Sequence, residues 1–254
     1  MYAVQARHLR KTYQTGKVDV PVLFGIDLDV RAGEFVSIMG PSGSGKSTLL
    51  NMIGLLDTPT SGGLRVMGQS VAKLNKNQRA LARREHLGFV FQSFHLLPRA
   101  TTLQNVMLPM ALAGVPRRER RPKAMALLEQ VGLGDRARHR SNELSGGQKQ
   151  RVALARALAL DPPIILADEP TGNLDSETSM QVMGLLRDLN RQGRTIIQVT
   201  HEASMASFGD RILHVQDGVI MREQRRPQAR PGRTNLRARR PRPASGGEAG
   251  GDRA

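Results

Sequence analysis

Eight consecutive residues, Gly40-Pro41-Ser42-Gly43-Ser44-Gly45-Lys46-Ser47, fit the pattern GxxxxGK[ST]. Small residues let backbone N–H groups close around phosphate, the Lys46 ammonium adds positive charge, and the Ser47 hydroxyl is a magnesium ligand. Two carboxylates, Asp168 and Glu169, follow the apolar run Pro163-Ile164-Ile165-Leu166-Ala167. At a strand end an Asp can hold magnesium through water, and the carboxylate after it can orient, or take a proton from, a water attacking a γ-phosphate. His201 closes a second such run, Thr195 to Thr200, where it could donate a hydrogen bond to the same phosphate. Alone, an Asp-Glu pair is a solvated turn and a single His a surface or capping residue. Lys46 and Ser47 upstream turn both readings toward catalysis.

These groups need strands and helices to bring them together. The run Glu34-Phe35-Val36-Ser37-Ile38-Met39 reads as a strand feeding the glycine-rich loop, and Lys46 to Ile53 as a helix whose N-terminal amides point at the phosphates. Leu28-Asp29-Val30 is another strand-like run, so the first ninety residues read as β-rich with one helix. From about Ser93 to Leu160 the pattern is mainly helical; Lys123 to Val131 places apolar residues at i, i+3 and i+4 before Gly132 and Gly134. The strand-like runs Pro163–Asp168 and Thr195–Thr200 then flank a helical Thr178–Asn190 segment. Such alternation predicts a mostly parallel sheet with ligands at the strands' carboxyl ends. Within the helical stretch, Ser145-Gly146-Gly147-Gln148 precedes the amphipathic run Gln150 to Leu158 and so forms a second helix N-terminus suited to an anion. Gln92 sits where the first strand pattern gives way to the helical insert, by itself an ordinary loop amide; Phe94, Leu96 and Leu97 after it read equally as core or as the lining of a groove for a partner helix.

Composition narrows the function classes. No apolar run approaches the roughly 18 residues of a spanning helix, and the N-terminus lacks the apolar segment of a secretory signal. The absence of cysteine excludes disulfides, thiolate metal sites and thiol nucleophiles. The net charge of +16 invites a nucleic-acid reading, but much of it is terminal: Arg222 to Ala254 holds ten Arg against Glu223, Glu248 and Asp252, a balance of +7 that leaves +9 elsewhere. That segment, rich in Pro, Gly and Ser, is expected to be disordered. It reads either as a solvated extension or as a contact for anionic lipid or a partner's cytoplasmic loops.

Leu144-Ser145-Gly146-Gly147-Gln148 taken with the glycine-rich loop makes the chain resemble the nucleotide-binding subunit of ATP-binding-cassette (ABC) transporters, over Val4 to about Met221. The resemblance implies an α/β P-loop NTPase (RecA-like) core with an antiparallel β subdomain, residues 1–92 and 161–221, and an inserted α-helical subdomain, residues 93–160; the tail, residues 222–254, departs from the short ending usual in the family. It implies ATP and Mg²⁺ at Gly40, Pro41, Ser42, Gly43, Ser44, Gly45, Lys46, Ser47 and Thr48, with Asp168 and Gln92 as metal ligands beside Ser47. Glu169 polarises water and His201 is the switch histidine. Ser145, Gly146, Gly147 and Gln148 bind the γ-phosphate held by the other subunit of a head-to-tail homodimer, and Asn173-Leu174-Asp175 crosses that interface. Tyr13 stacks on adenine. The runs Phe89 to Pro98, Gln104 to Pro109 and Ile165 to Ser176 are similar to the subgroup of macrolide-exporter and lipoprotein-releasing ATPases. That subgroup implies an inner-membrane permease partner, a peripheral position on the cytoplasmic face and outward transport, with no specific nucleic acid. Alternatives are a cell-division ATPase of the same module, and a soluble ABC ATPase acting on DNA or ribosomes.

Overall fold

The computed structural model describes residues 1–16 and 18–225. A long hairpin opens the chain, β1 (Tyr2–Thr15) pairing antiparallel with β2 (Val18–Arg31). Then follow β3 (Phe35–Met39), α1 (Lys46–Ile53), β4 (Ser61–Val66), β5 (Gln69–Ser70), α2 (Lys76–His86) and β6 (Leu87–Phe91). The middle is helical: α3 (Thr102–Leu112), α4 (Arg117–Gln130) and α5 (Gly146–Ala157). The last third alternates, with β7 (Ile164–Asp168), α6 (Ser176–Arg191), β8 (Thr195–Thr200), α7 (Ala203–Ala206), β9 (Arg211–Gln216) and β10 (Val219–Arg225).

Two sheets result: an antiparallel one of order β2-β1-β4-β5, and a six-stranded one of order β10-β9-β3-β8-β7-β6. In the second sheet every pair is parallel except β10 with β9. Strands β3, β7 and β8 are buried almost throughout, the mark of a sheet covered on both faces. On one side lies a core of β1, β2, β4 and α1 residues such as Leu9, Ile26, Leu49, Met52 and Leu64. On the other, Val106, Leu128, Leu154, Met183 and Leu186 join the helical stretch to α6.

The register is what matters for the site. Met39 lies beside Thr200, Val199 beside Asp168, and Asp168 beside Phe91, so four adjacent parallel strands end level with one another. The residues that follow them therefore emerge at one sheet edge.

Two expectations need correcting. The first ninety residues hold two α-helices, not one: α2 has a single buried residue, Ala82, and its many Lys, Arg and Asn side chains leave no apolar stripe to read. Its start is fixed locally, by an Asn75–Gln78 capping box. The boundary of the tail also shifts. Arg222, Glu223, Gln224 and Arg225 belong to β10, paired with His214, Leu213, Ile212 and Arg211. The remainder of the basic segment, with its expected disorder and lipid contact, lies outside the described residues.

Candidate active site

The loop from Gly40 to Gly45 joins β3 to α1, and close packing dictates the glycines at its two ends. A Cβ on Gly40 would lie 2.0 Å from the Val215 carbonyl oxygen; at Gly45, where φ is +94°, it would lie 2.8 Å from Leu23 Cδ2. Gly45 is also the residue before α1, so the helix's first amides open onto the loop. Lys46 is buried and its Nζ donates to the Pro41 carbonyl at 2.7 Å, which holds the ammonium across the loop. Ser47 is exposed, and its Oγ donates to Asp168 Oδ1 at 3.2 Å.

The strand ends meet this loop. Burial raises the Asp168 carboxyl above the ordinary carboxylate range; the Ser47 hydrogen bond opposes the rise, the Glu169 charge adds to it, and Lys46 opposes it. Glu169 has φ of +46°, a left-handed conformation that costs a non-glycine residue about 1–3 kcal/mol. Its amide donates to the Val199 carbonyl at 3.0 Å, and its Oε1 accepts from His201 Nδ1 at 3.0 Å. Gln92 leaves β6 alongside: its Nε2 donates to Asn173 Oδ1 at 3.3 Å while Asn173 Nδ2 donates to the Gln92 carbonyl at 3.2 Å. Gly172 fits between, since a Cβ there would lie 2.7 Å from Gln92 Nε2 and 3.3 Å from Glu169 Oε2.

Among the described residues no group of three or more His, Asp or Glu side chains forms a metal cage. The oxygens of Ser47 and Asp168, with the Gln92 amide at the same edge, instead fit Mg²⁺ as it is commonly held, by one or two protein oxygens, waters and the phosphates of a nucleotide.

Ser145 is the N-cap of α5. Its Oγ accepts from the Gln148 amide at 3.3 Å and its own amide donates to Gln148 Oε1 at 3.0 Å, a capping box that uses the Gln148 side chain for its own backbone. Gly147 lets α5 approach α6: a Cβ would lie 2.1 Å from Thr178 Cγ2. Gly146 faces Leu174 and the Asn173 carbonyl. Asp175 caps α6, accepting from the Thr178 amide at 2.9 Å and from its hydroxyl at 2.7 Å; both bonds hold its carboxyl below the usual range.

Tyr13 is half-buried on β1. Its phenol is pushed up first by burial and then by Asp57, and opposed by a hydrogen bond with Thr48 of α1. The Lys11 ammonium lies 4.6 Å from the ring centroid and donates to Asp57 Oδ1 at 2.7 Å. Neither Lys11 nor Asp57 stood out in the sequence, although Lys11 alternates with Tyr13 on one strand face.

Gln150 and Arg156 of α5 were missed as well. Gln150, fully buried, donates to the carbonyls of Phe91 and Pro170; Arg156 donates to those of Phe94 and His95, two consecutive residues with positive φ. A polar residue on the apolar face of an amphipathic helix was the available signal for Gln150. An apolar groove of about 770 Å³ lies beside them, lined by Leu81, Leu87, Phe89, Phe91, Leu112 and Leu160 among others. Phe94, Leu96 and Leu97 are not in its lining, and Leu96 packs against the helical core.

A glycine-rich loop on a helix N-terminus, with a strand-end carboxylate pair beside it, defines a P-loop ATPase. The comparisons agree: residues 23–172 match the family model described as ABC transporter. The chain is 52% identical over 216 residues to an uncharacterized ABC transporter ATP-binding protein of Thermotoga maritima, covering 85% of this chain and 92% of that protein. It is 51% identical to the macrolide export ATP-binding/permease protein MacB of Brucella melitensis, over 86% of this chain but 34% of that longer protein. Among solved structures, a dimeric post-hydrolysis state of the cassette MJ0796 bound to ADP and Pi matches with a TM-score of 0.80 and 46% identity, over 87% of this chain and 98% of that one. The chain belongs to the ABC transporter family and is its ATPase cassette.

Proposed function

We propose that the chain is the ATP-hydrolysing subunit of a membrane transporter, closing as a head-to-tail homodimer on ATP and driving a permease for export or extraction at the cytoplasmic face. The observation that carries this reading is the strand-end cluster: Glu169, fixed by a left-handed backbone and by His201, beside the Ser47–Asp168 pair. In this assignment the loop amides and Lys46 hold the β- and γ-phosphates. Ser47, Asp168 and Gln92 hold Mg²⁺, which supplies charge neutralisation to the nucleotide. Glu169 accepts a proton from the attacking water. His201 Nδ1 lies 3.0 Å from Glu169 Oε1, which leaves Nε2 as the ring nitrogen to face a phosphate oxygen.

Ser145, Gly146, Gly147 and Gln148 meet the partner's γ-phosphate, with Asp175 at the same interface and Tyr13 under the adenine. The dimeric MJ0796 cassette supports this arrangement, and the MacB relatives support a permease. The apolar groove beside β6 is the surface proposed to take a permease helix; no described helix is long and apolar enough to cross a membrane.

Glu169→Gln tests the reading. It is expected to lower phosphate release by about 10²–10⁴-fold, the usual contribution of a general base, while ATP still binds and shifts the protein to a dimer in light scattering. Wild-type turnover by that variant would remove Glu169 from the mechanism.

A further inference from the structure

Gln150 carries an unusual burden for a residue with no exposed surface. Its Nε2 donates to the Pro170 carbonyl at 2.6 Å and to the Phe91 carbonyl at 3.3 Å, while its Oε1 is buried with no hydrogen-bond partner. Both partners are acceptors, so the orientation of the amide is fixed by them. A side chain kept only for packing would be apolar here and would leave no buried oxygen unpaired. The two carbonyls belong to the residue before Gln92 and the residue after Glu169. The Phe91 carbonyl also accepts from the Phe94 amide at 3.3 Å, closing the turn that contains Gln92. The helix bearing Gln150 begins at the Ser145 cap, little more than one turn before Gln150.

We propose that Gln150 is a positioning residue: one amide ties α5 to the loops of Gln92 and Glu169, holding the Mg²⁺ side and the water side of the site in register with the helix that reaches the partner's nucleotide. This rests on the function proposed above. A shift of α5 then moves both loops together, because among the described residues Gln150 is the side chain that joins these two carbonyls to the helix.

The test is Gln150→Met, which keeps length and loses both donors, with Gln150→Glu as a second variant that keeps polarity and, when ionised, donates nothing. Wild type and Glu169→Gln are measured alongside. Expected is a fall in kcat of at least about tenfold, with the ATP dissociation constant and the Tm near wild type, and a smaller fall when Gln150→Met is placed on Gln92→Ala. A kcat within twofold of wild type would overturn the proposal. So would parallel losses of kcat, ATP affinity and Tm, unfolding of both variants, or full multiplicativity with Gln92→Ala, since each assigns Gln150 a structural role. Persistent turnover in Glu169→Gln would instead strike at the underlying reading.

Discussion

At the sheet edge the polar groups hold one another, Ser47 on Asp168, His201 on Glu169, Asn173 on Gln92; at the start of α5, Ser145 and Gln148 hold only their own backbone. The first region is assembled by long-range register, through four strands that end level. The second is local, a capped helix N-terminus whose exposed Ser145 is complete as a turn but has no charged side chain bonded to it. The difference teaches how such a site divides its labour. Charged groups are concentrated where the strands of one chain end together, and a helix N-terminus is left at the surface, where the proposed partner chain would use it.

Asp168→Asn probes the first region hardest. The Asp168 carboxyl is raised, so the folded state favours its protonated form; that contribution to stability is present at low pH and lost as pH rises through the folded-state value. Above that value the nucleotide-free protein bears the cost of a partly buried charge. Asp168→Asn removes it, and is expected to raise Tm near pH 8, with the gain vanishing in acid. The same change should weaken Mg²⁺ affinity about 10–100-fold, in line with loss of a group that orients metal-bound water. A lowered Tm in calorimetry, or an unchanged Mg²⁺ titration of turnover, would break the account of this cluster.

Gly146→Asp probes the second region. Its Cβ would lie 3.3 Å from Leu174 Cδ2, a tight contact that a small shift of that side chain's end relieves, so the chain should fold. A carboxylate at this helix end opposes an incoming phosphate. Turnover is expected to fall at least about tenfold, and ATP-driven dimerisation with it, while the ATP affinity of the single chain stays within about twofold. Equal loss of single-chain affinity would mean that α5 serves its own chain's nucleotide and the contrast between the regions is wrong.

The contrast also explains what was legible beforehand. Lys46, Ser47, Asp168, Glu169 and His201 could be read because each follows or opens a strongly patterned element, and strand ends in a parallel sheet have one destination. The helix N-terminus at Ser145 was likewise a local signal. The roles of Gln150, Arg156 and Lys11 were not legible, because their partners are backbone carbonyls or side chains from 46 to 62 residues away, with the exception of the nearer Pro170 contact, 20 residues distant. Only the folded register supplies those neighbours. Helix α2 escaped for the opposite reason, having almost no buried face to betray it.

Tyr13→Ala tests a smaller contribution. Lys11 lies over the ring, and the phenol is placed between Asp57 and Thr48 of the α1 helix, so the aromatic face is oriented before any base arrives. Loss of stacking should weaken ATP binding by about 1–3 kcal/mol, with kcat at saturation unchanged. An unchanged dissociation constant in fluorescence titration would remove Tyr13 from the nucleotide site.

The smallest expected effect comes from the far end of the sheet. Arg211, 7% exposed in its side chain, opens β9 beside Val36, at the edge away from the phosphates; its guanidinium pairs with Glu34 at 2.9 Å and Glu223 at 3.3 Å. A chain ending at Met221 would lose Glu223 and most of β10, while one ending at Arg225 keeps both. The shorter chain should lose about 1 kcal/mol, since Glu34 still pairs with Arg211 and Glu223 is partly solvated, which corresponds to about 2–4 °C in Tm for a chain of this size. The chain ending at Arg225 should match the full length in Tm. Neither cut should alter kcat per folded molecule, because both lie at the edge opposite Glu169. If removal of residues 226–254 lowers co-sedimentation with anionic vesicles while leaving turnover intact, the basic segment is a membrane contact separable from catalysis. If it lowers turnover in detergent solution, the separation of the catalytic edge from this end of the sheet fails.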